Sequence, residues 1–166
     1  RASLFVNQIC AVRLLAHHSS ESARKTLTEL AGHEEPAVVA TALQRLNGID
    51  FSLVLPLAES AIQSSDPQVR RQGAISILQL QSADHIASLS RLLADPNPDL
   101  RRLVCDGLHQ LASHAELNEL VLNAAMQALA GDIWQGHEQA ALLLGALEHQ
   151  PAANRLVELL KSPRME

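Results

Sequence analysis

Apolar residues recur along this chain at intervals of three and four, not two. After Ser65, Asp66 and Pro67, the residues Val69, Gly73 and Ile77 stand at i, i+4 and i+8, with Gln68, Arg70, Arg71 and Gln72 between them. That spacing places the small and apolar residues on one face of an amphipathic helix, and Asp-Pro ahead of it reads as a helix start. A second copy runs from Asn97 to Leu108 and a degenerate third from Glu35 to Leu46. Pro36, Pro67 and Pro98 are 31 residues apart. The columns keep this register: Val38, Val69 and Leu100; Ala42, Gly73 and Val104; Leu46, Ile77 and Leu108. A second set holds the same offset, with Leu27, Ala58, Leu89 and Leu120 in one column and Ala31, Ile62, Leu93 and Ala124 in another. A fixed period of this length means a solenoid of helix pairs, in which neither helix buries its face until neighbouring pairs stack.

Five pairs are expected. The first runs from about Ser3 to His17, then from a cap at Ser20 or Ser22 to Ala31, with Gly32 as the stop. The second starts at Pro36, ends before Gly48, and resumes from Phe51 to Ser64, with Pro56 in an early turn. The third covers Pro67–Leu80, then Ser82 or Ala83 to Ala94, and Asp95-Pro96-Asn97-Pro98 marks the next turn. The fourth covers Pro98–Ala112, then His114 or Ala115 to Ala130. The fifth covers about Asp132–Glu148, then Pro151–Lys161, and Pro163 stops it. The repeats are thus about 1–32, 33–65, 66–95, 96–131 and 132–166. The first helix carries apolar residues on more than one stripe, and the chain opens on Arg1. Both lead us to expect a single repeat domain cut from a longer chain, with further repeats or other domains beside it.

Asp66-Pro67-Gln68-Val69-Arg70-Arg71-Gln72-Gly73-Ala74 and Asn97-Pro98-Asp99-Leu100-Arg101-Arg102-Leu103-Val104-Cys105 resemble the HEAT repeat, in the short bacterial form that also occurs in phycobilin lyases. The resemblance covers nearly the whole chain, strongly in the middle three repeats and weakly at the ends. It implies an all-α fold, a right-handed α–α superhelix akin to armadillo arrays. It is poor for function, because the family includes scaffolds, lyases, hydroxylases and transport factors.

Composition narrows the choices. The chain of 166 residues is 47% hydrophobic and only 2% aromatic, so its core is aliphatic, and it offers few platforms for stacking bases. A net charge of −5 opposes nucleic-acid binding. No apolar run approaches the length of a membrane span. Cys10 and Cys105 form no metal-type pair and fit a reducing compartment, so a cytoplasmic location is expected.

Candidate chemistry is sparse. Arg70, Arg71, Arg101 and Arg102 are column mates, expected roughly 10 Å apart from one repeat to the next. With Asp66, Asp95, Asp99 and Asp106 they read as a structural Asp–Arg ladder between repeats, which resembles the ladder that HEAT proteins use; the other reading is a basic stripe for a phosphate or an acidic partner. His137-Glu138 resembles the His-Glu motifs of deoxyhypusine hydroxylase, a HEAT-repeat di-iron enzyme. The other such pair, His33-Glu34, falls in a turn and on another column, so no ligand set is expected. The remaining histidines read as polar-face or cap residues. Cys105 shares a core column with Leu43 and Ala74, and Cys10 a more polar column with Thr41 and Gln72. Trp134 breaks the repeat pattern and reads as a wedge between repeats or an interface anchor.

The expectation is a non-enzymatic scaffold that binds a protein or peptide through the concave face lined by the second helices. Its candidate residues are Glu29, Glu59, Arg91, Glu119 and Trp134. No catalytic residue, metal or cofactor is assigned, and no nucleic acid or membrane insertion is expected. The alternative is a HEAT-repeat enzyme or cofactor-handling domain, bilin-lyase-like or resembling a metal-dependent hydroxylase.

Overall fold

The computed structural model of the chain describes residues 2–15 and 20–161. These residues form ten α-helices and no strand. The chain divides into two compact units, Arg1–Leu80 and Gln81–Glu166.

The first unit holds α1 (Ala2–Leu15), α2 (Glu21–Leu30), α3 (Pro36–Ile49), α4 (Phe51–Ala61) and α5 (Pro67–Leu80). Helix α3 is its hub and packs against all four others. The reason lies in its composition: Val38, Ala42, Leu43 and Leu46 are buried on one side, and Ala40 on another. Val12 from α1, Leu27 from α2, Val54 from α4 and Val69 from α5 close the same core. Each buried Leu or Val contributes roughly 1.5–3 kcal/mol, so this aliphatic seam dominates over any single polar contact described below. The α4–α5 contact is the most extensive in the chain. It is close because Gly73, in the column of Ala42 and Val104, carries no Cβ.

The second unit holds α6 (Ile86–Arg91), α7 (Pro98–Leu111), α8 (Ala115–Ala130), α9 (Trp134–Ala146) and α10 (Ala153–Lys161). Its core comes from Ile86, Leu89 and Leu93, from Leu100, Val104 and Leu108, from Val121, Ala125 and Leu129, and from Ala140, Leu143 and Leu144. Helix α10 is strongly amphipathic but has no fully buried residue.

The 31-residue register is seen directly in α3, α5 and α7, which start at Pro36, Pro67 and Pro98. All nine residues of the three first-helix columns are buried. The period then breaks. Helix α8 has 16 residues where α4 has 11, and α9 starts at Trp134, 36 residues after Pro98. The expected core position Leu120 is 43% exposed, and its neighbour Val121 is buried in its stead. In the same column family Ala31 is only half-buried, while Ile62, Leu93 and Ala124 are buried.

Other boundaries also differ from expectation. Helix α3 runs through Gly48 and stops at Asp50, whose extended backbone also caps α4. Pro56 lies inside α4, in its second turn, on the exposed side. Its ring removes one intrahelical hydrogen bond where a first-turn proline would remove none. The third repeat's second helix is broken into a 3₁₀ turn (Ala83–His85), α6, and a second 3₁₀ turn (Leu92–Ala94). Short 3₁₀ pieces are a common way to tighten helix ends. Helix α9 closes with Glu148 in the left-handed region (φ 53°), while His149 N donates to Leu144 O at 3.0 Å. This is a Schellman-type stop built without glycine. His17 and Pro163, expected as the ends of the first and last helices, lie outside the described residues.

Candidate protein-docking surfaces

The turns that precede α3, α5 and α7 are built alike from unlike residues. His33 Nδ1 accepts from Glu35 N at 3.0 Å, Ser64 Oγ from Asp66 N at 3.2 Å, and Asp95 Oδ1 from Asn97 N at 2.8 Å. The three acceptors share one position of the repeat. Two residues on, Asp66 Oδ1 accepts from Gln68 N and Val69 N, and Asn97 Oδ1 accepts from Leu100 N. These are N-caps that satisfy otherwise orphaned amides.

The arginines serve the same turns. Arg70 Nη1 donates to the carbonyls of Ser64 at 2.9 Å and Ser65 at 2.8 Å. Arg101 Nη1 donates to those of Asp95 at 2.7 Å and Pro96 at 3.2 Å. In each case the guanidinium folds back onto the turn that precedes its own helix. This answers how a cation sits near a positively polarised helix start: carbonyl oxygens surround it. Arg71 is half-buried and Arg102 exposed. Arg102 lines a cleft of about 470 Å³ between α7 and α9, with Cys105, Asp106, His109 and Glu138.

The expected second-helix residues are all exposed. Glu29 lies on α2 and Glu59 on α4 in the first unit; Arg91 lies on α6 and Glu119 on α8 in the second. On α8 the exposed Leu120 adds an apolar residue beside Glu119. In the first unit Asp50 ties α2 to the start of α4. Its carboxylate accepts from the Ser52 hydroxyl at 2.6 Å and the Ser52 amide at 3.2 Å, and pairs with Arg24 at 3.5 Å. The Ser52 hydroxyl, helped by the Ser52 amide and Arg24, holds Asp50 below the usual carboxylate range against the opposing effect of desolvation.

Trp134 stands apart from these positions. It opens α9, is 54% exposed, and forms one wall of a groove of about 840 Å³ between α9 and α10. Ala141 and Leu142 continue that wall, Leu156, Leu159 and Leu160 form the other, and His137 and Glu138 add polar edges. His137 turns its Nε2 to the carbonyl of Gly131 and so anchors the turn before α9. Arg155 Nε donates to Leu129 O at 3.4 Å, and Ala152 is buried, which holds the start of α10 to the unit. Sequence reasoning singled out Trp134 alone and missed this groove. The signal was the strong amphipathicity of residues 153–161 beside an apolar, uncharged run at 139–147.

Cys105 is half-buried, not fully enclosed like its column mates Leu43 and Ala74. Its thiol faces the carbonyl of Gln139 at 3.7 Å. Burial, with a smaller effect of the adjacent Asp106, pushes this thiol up. Cys10 is exposed. Among the described residues no group of three His, Cys, Asp or Glu side chains is placed to hold a metal ion. None of the described helices is long and apolar enough to cross a membrane.

Paired helices, a 31-residue register with buried columns, and capped Asp/Asn-Pro turns define an α-helical repeat protein. The family profile described as HEAT repeats matches residues 6–75 and again 54–125, so the chain belongs to the HEAT repeat family. No curated protein matches it in sequence. HEAT repeats generally mediate contacts between proteins and are typically non-catalytic.

Proposed function

We propose that this chain is a non-enzymatic protein-binding module that engages a protein or peptide through the exposed side of its second helices. The observation that carries this reading is the exposure of Glu29, Glu59, Arg91 and Glu119, each on the second helix of its pair, while the apolar columns of both helices are spent on the core. Exposed charges of both signs suit a polar partner, and they set register and encounter rate more than raw affinity. Trp134 supplies an aromatic anchor of the kind that concentrates binding energy. A cytoplasmic setting agrees with two cysteines that are not paired with each other.

The test is site-specific photo-crosslinking. A photoreactive residue at 59 or 119, on second helices, is compared with one at Gln44 or Gln110, exposed on first helices. The proposal expects one discrete protein partner captured from 59 or 119 and not from the other two. Equal capture from all four positions, or from 44 and 110 alone, contradicts it.

A further inference from the structure

In α5, α7 and α9 the fourth residue of the helix closes the turn before it. Arg70 and Arg101 reach back to the carbonyls six residues earlier, of Ser64 at 2.9 Å and Asp95 at 2.7 Å. His137, the fourth residue of α9, turns its Nε2 to the carbonyl of Gly131, again six residues earlier. The fourth residue of α3 is Val39. Its side chain has no hydrogen to donate to the corresponding carbonyl, that of His33. The next residue is Ala40, so both arginine columns of the repeat are apolar here: Val39-Ala40 stands where Arg70-Arg71 and Arg101-Arg102 stand in later repeats.

A cavity of about 430 Å³ opens at this place, wholly within the first unit. His33 and Val39 line it with Leu57 from α4 and Gln63 just beyond α4. Leu43 and Val69, both buried, form an apolar floor. The ends of two second helices also meet here: Ala31 and Gly32, which follow α2, and Ala61, the last residue of α4, line the same cavity. The last carbonyls of a helix carry partial negative charge, so two such ends favour a cation between them. The local sequence has the same sign. Residues 26–44 contain Glu29, Glu34 and Glu35 and no Lys or Arg, and Glu34 and Glu35 are exposed.

We propose that this cavity is a docking site for an arginine side chain presented by a protein partner. The incoming guanidinium takes the part that Arg70 plays in its own turn: it donates to the carbonyls of His33 and Glu34 as Arg70 donates to those of Ser64 and Ser65. Its methylene stem covers Leu43, Leu57 and Val69. A guanidinium suits the place better than an ammonium, because its planar fork spans two neighbouring carbonyls. Glu34 and Glu35 raise the local concentration of the cation. The choice of a protein as the source of the arginine rests on the protein-binding reading above; the cavity and its preference for a guanidinium do not.

The experiment titrates the isotope-labelled 166-residue chain with the peptide acetyl-Ala-Ala-Arg-Ala-Ala-amide and follows backbone amides by nuclear magnetic resonance. Saturable shifts are expected at 31–35 and 60–64, with a Kd on the order of 1 mM, and none at 95–97, where Arg101 already holds the carbonyls. The same peptide with citrulline or lysine in place of arginine, and methylguanidinium alone, are expected to bind several-fold more weakly. Val39→Arg supplies the side chain from within: peptide binding is expected to fall at least tenfold, and the melting temperature to rise by about 4 °C or more. Val39→Met, which adds bulk without a donor, is expected to bring no such rise. Glu34→Gln/Glu35→Gln, on exposed residues, is expected to weaken binding several-fold, with circular dichroism unchanged. Absence of saturable shifts at 31–35 and 60–64 overturns the proposal. So does a citrulline or lysine peptide, or methylguanidinium, that binds as tightly as the arginine peptide, or a Val39→Arg variant that binds it undiminished. Isolated peptides keep this result separate from crosslinking at 59 and 119, so either reading can fail without the other.

Discussion

Adding a single methyl group at Gly73 should destabilise the first unit, although it improves helix propensity. A Cβ there would lie 2.8 Å from the carbonyl oxygen of Ala58, 2.9 Å from Ala61 Cβ and 2.9 Å from Ile62 N. Two of the three are backbone atoms of α4 and its C-cap, so no rotamer change relieves them. The helices must move apart, which loosens the seam that Val54, Ala58 and Ala61 make with α5. Gly→Ala in a helix gains about 1 kcal/mol, and overpacking a close seam costs about 1–3 kcal/mol. With backbone on the other side, the cost falls in the upper part of that range, and the net loss is about 1–2 kcal/mol. For a unit of about 80 residues that lowers the melting temperature by on the order of 10 °C. Gly48→Ala is the control: it is also helical and in the same unit, is exposed, and has no atom within 4 Å of its added Cβ. It should gain about 0.5 kcal/mol. Thermal and urea unfolding followed by far-ultraviolet circular dichroism compares the three proteins. If Gly73→Ala is as stable as wild type or more so, the close approach of α4 and α5 is wrong.

Further outcomes are expected. Asn97→Ala should cost about 1 kcal/mol through loss of the α7 cap, and Arg101→Met about 1–2 kcal/mol through loss of its bonds to the Asp95 and Pro96 carbonyls, both read from urea midpoints. Glu148→Gly should stabilise by about 1 kcal/mol, because its left-handed backbone suits glycine; a melting temperature below wild type would refute this. Asp50 has a lowered folded-state pKa, so its contribution is complete above the ordinary aspartate range and disappears as pH falls through the folded value; Asp50→Asn should flatten that part of the acid unfolding curve, and identical curves would contradict the assignment. At low protein concentration and neutral pH, a thiol reagent should modify Cys10 rapidly and Cys105 slowly until pH is raised or the protein is unfolded, as mass spectrometry can show.

Much of this architecture is legible without coordinates, and the reason is physical. Proline at 36, 67 and 98, each after a turn, favours a helix start at its own position, and each start phases the small and apolar column behind it. The four arginines were visible as column mates, but the carbonyls that Arg70 and Arg101 address were not. That Arg70 and Arg101 address carbonyls of their own turns depends on turn geometry that His33, Ser64 and Asp95 reach with different side chains. Leu120 was misplaced because α8 starts at Ala115 and turns Leu117, Val121, Ala125 and Leu129 inward, one residue off the expected column, and nothing local in this apolar run marks that rotation. The stop at Asp50 instead of Gly48 has a similar cause: an exposed glycine is tolerated in a helix, whereas Asp50 caps the next one. The α9–α10 groove was missed because the amphipathicity of residues 153–161 reports which face is apolar, not whether a neighbour seals it.

The central claim is that the apolar columns of both helices of each pair are spent on the core, leaving the second-helix charges and the last-repeat groove as the working surface. Residue-resolved amide hydrogen exchange at low protein concentration tests it most directly. Helices α3, α5 and α7, with their buried columns, should be the slowest to exchange. Helix α10, nine residues long with no fully buried side chain, should exchange faster by about 100-fold or more. Protection in α10 equal to that in α7 would mean that the groove is closed and would contradict the account.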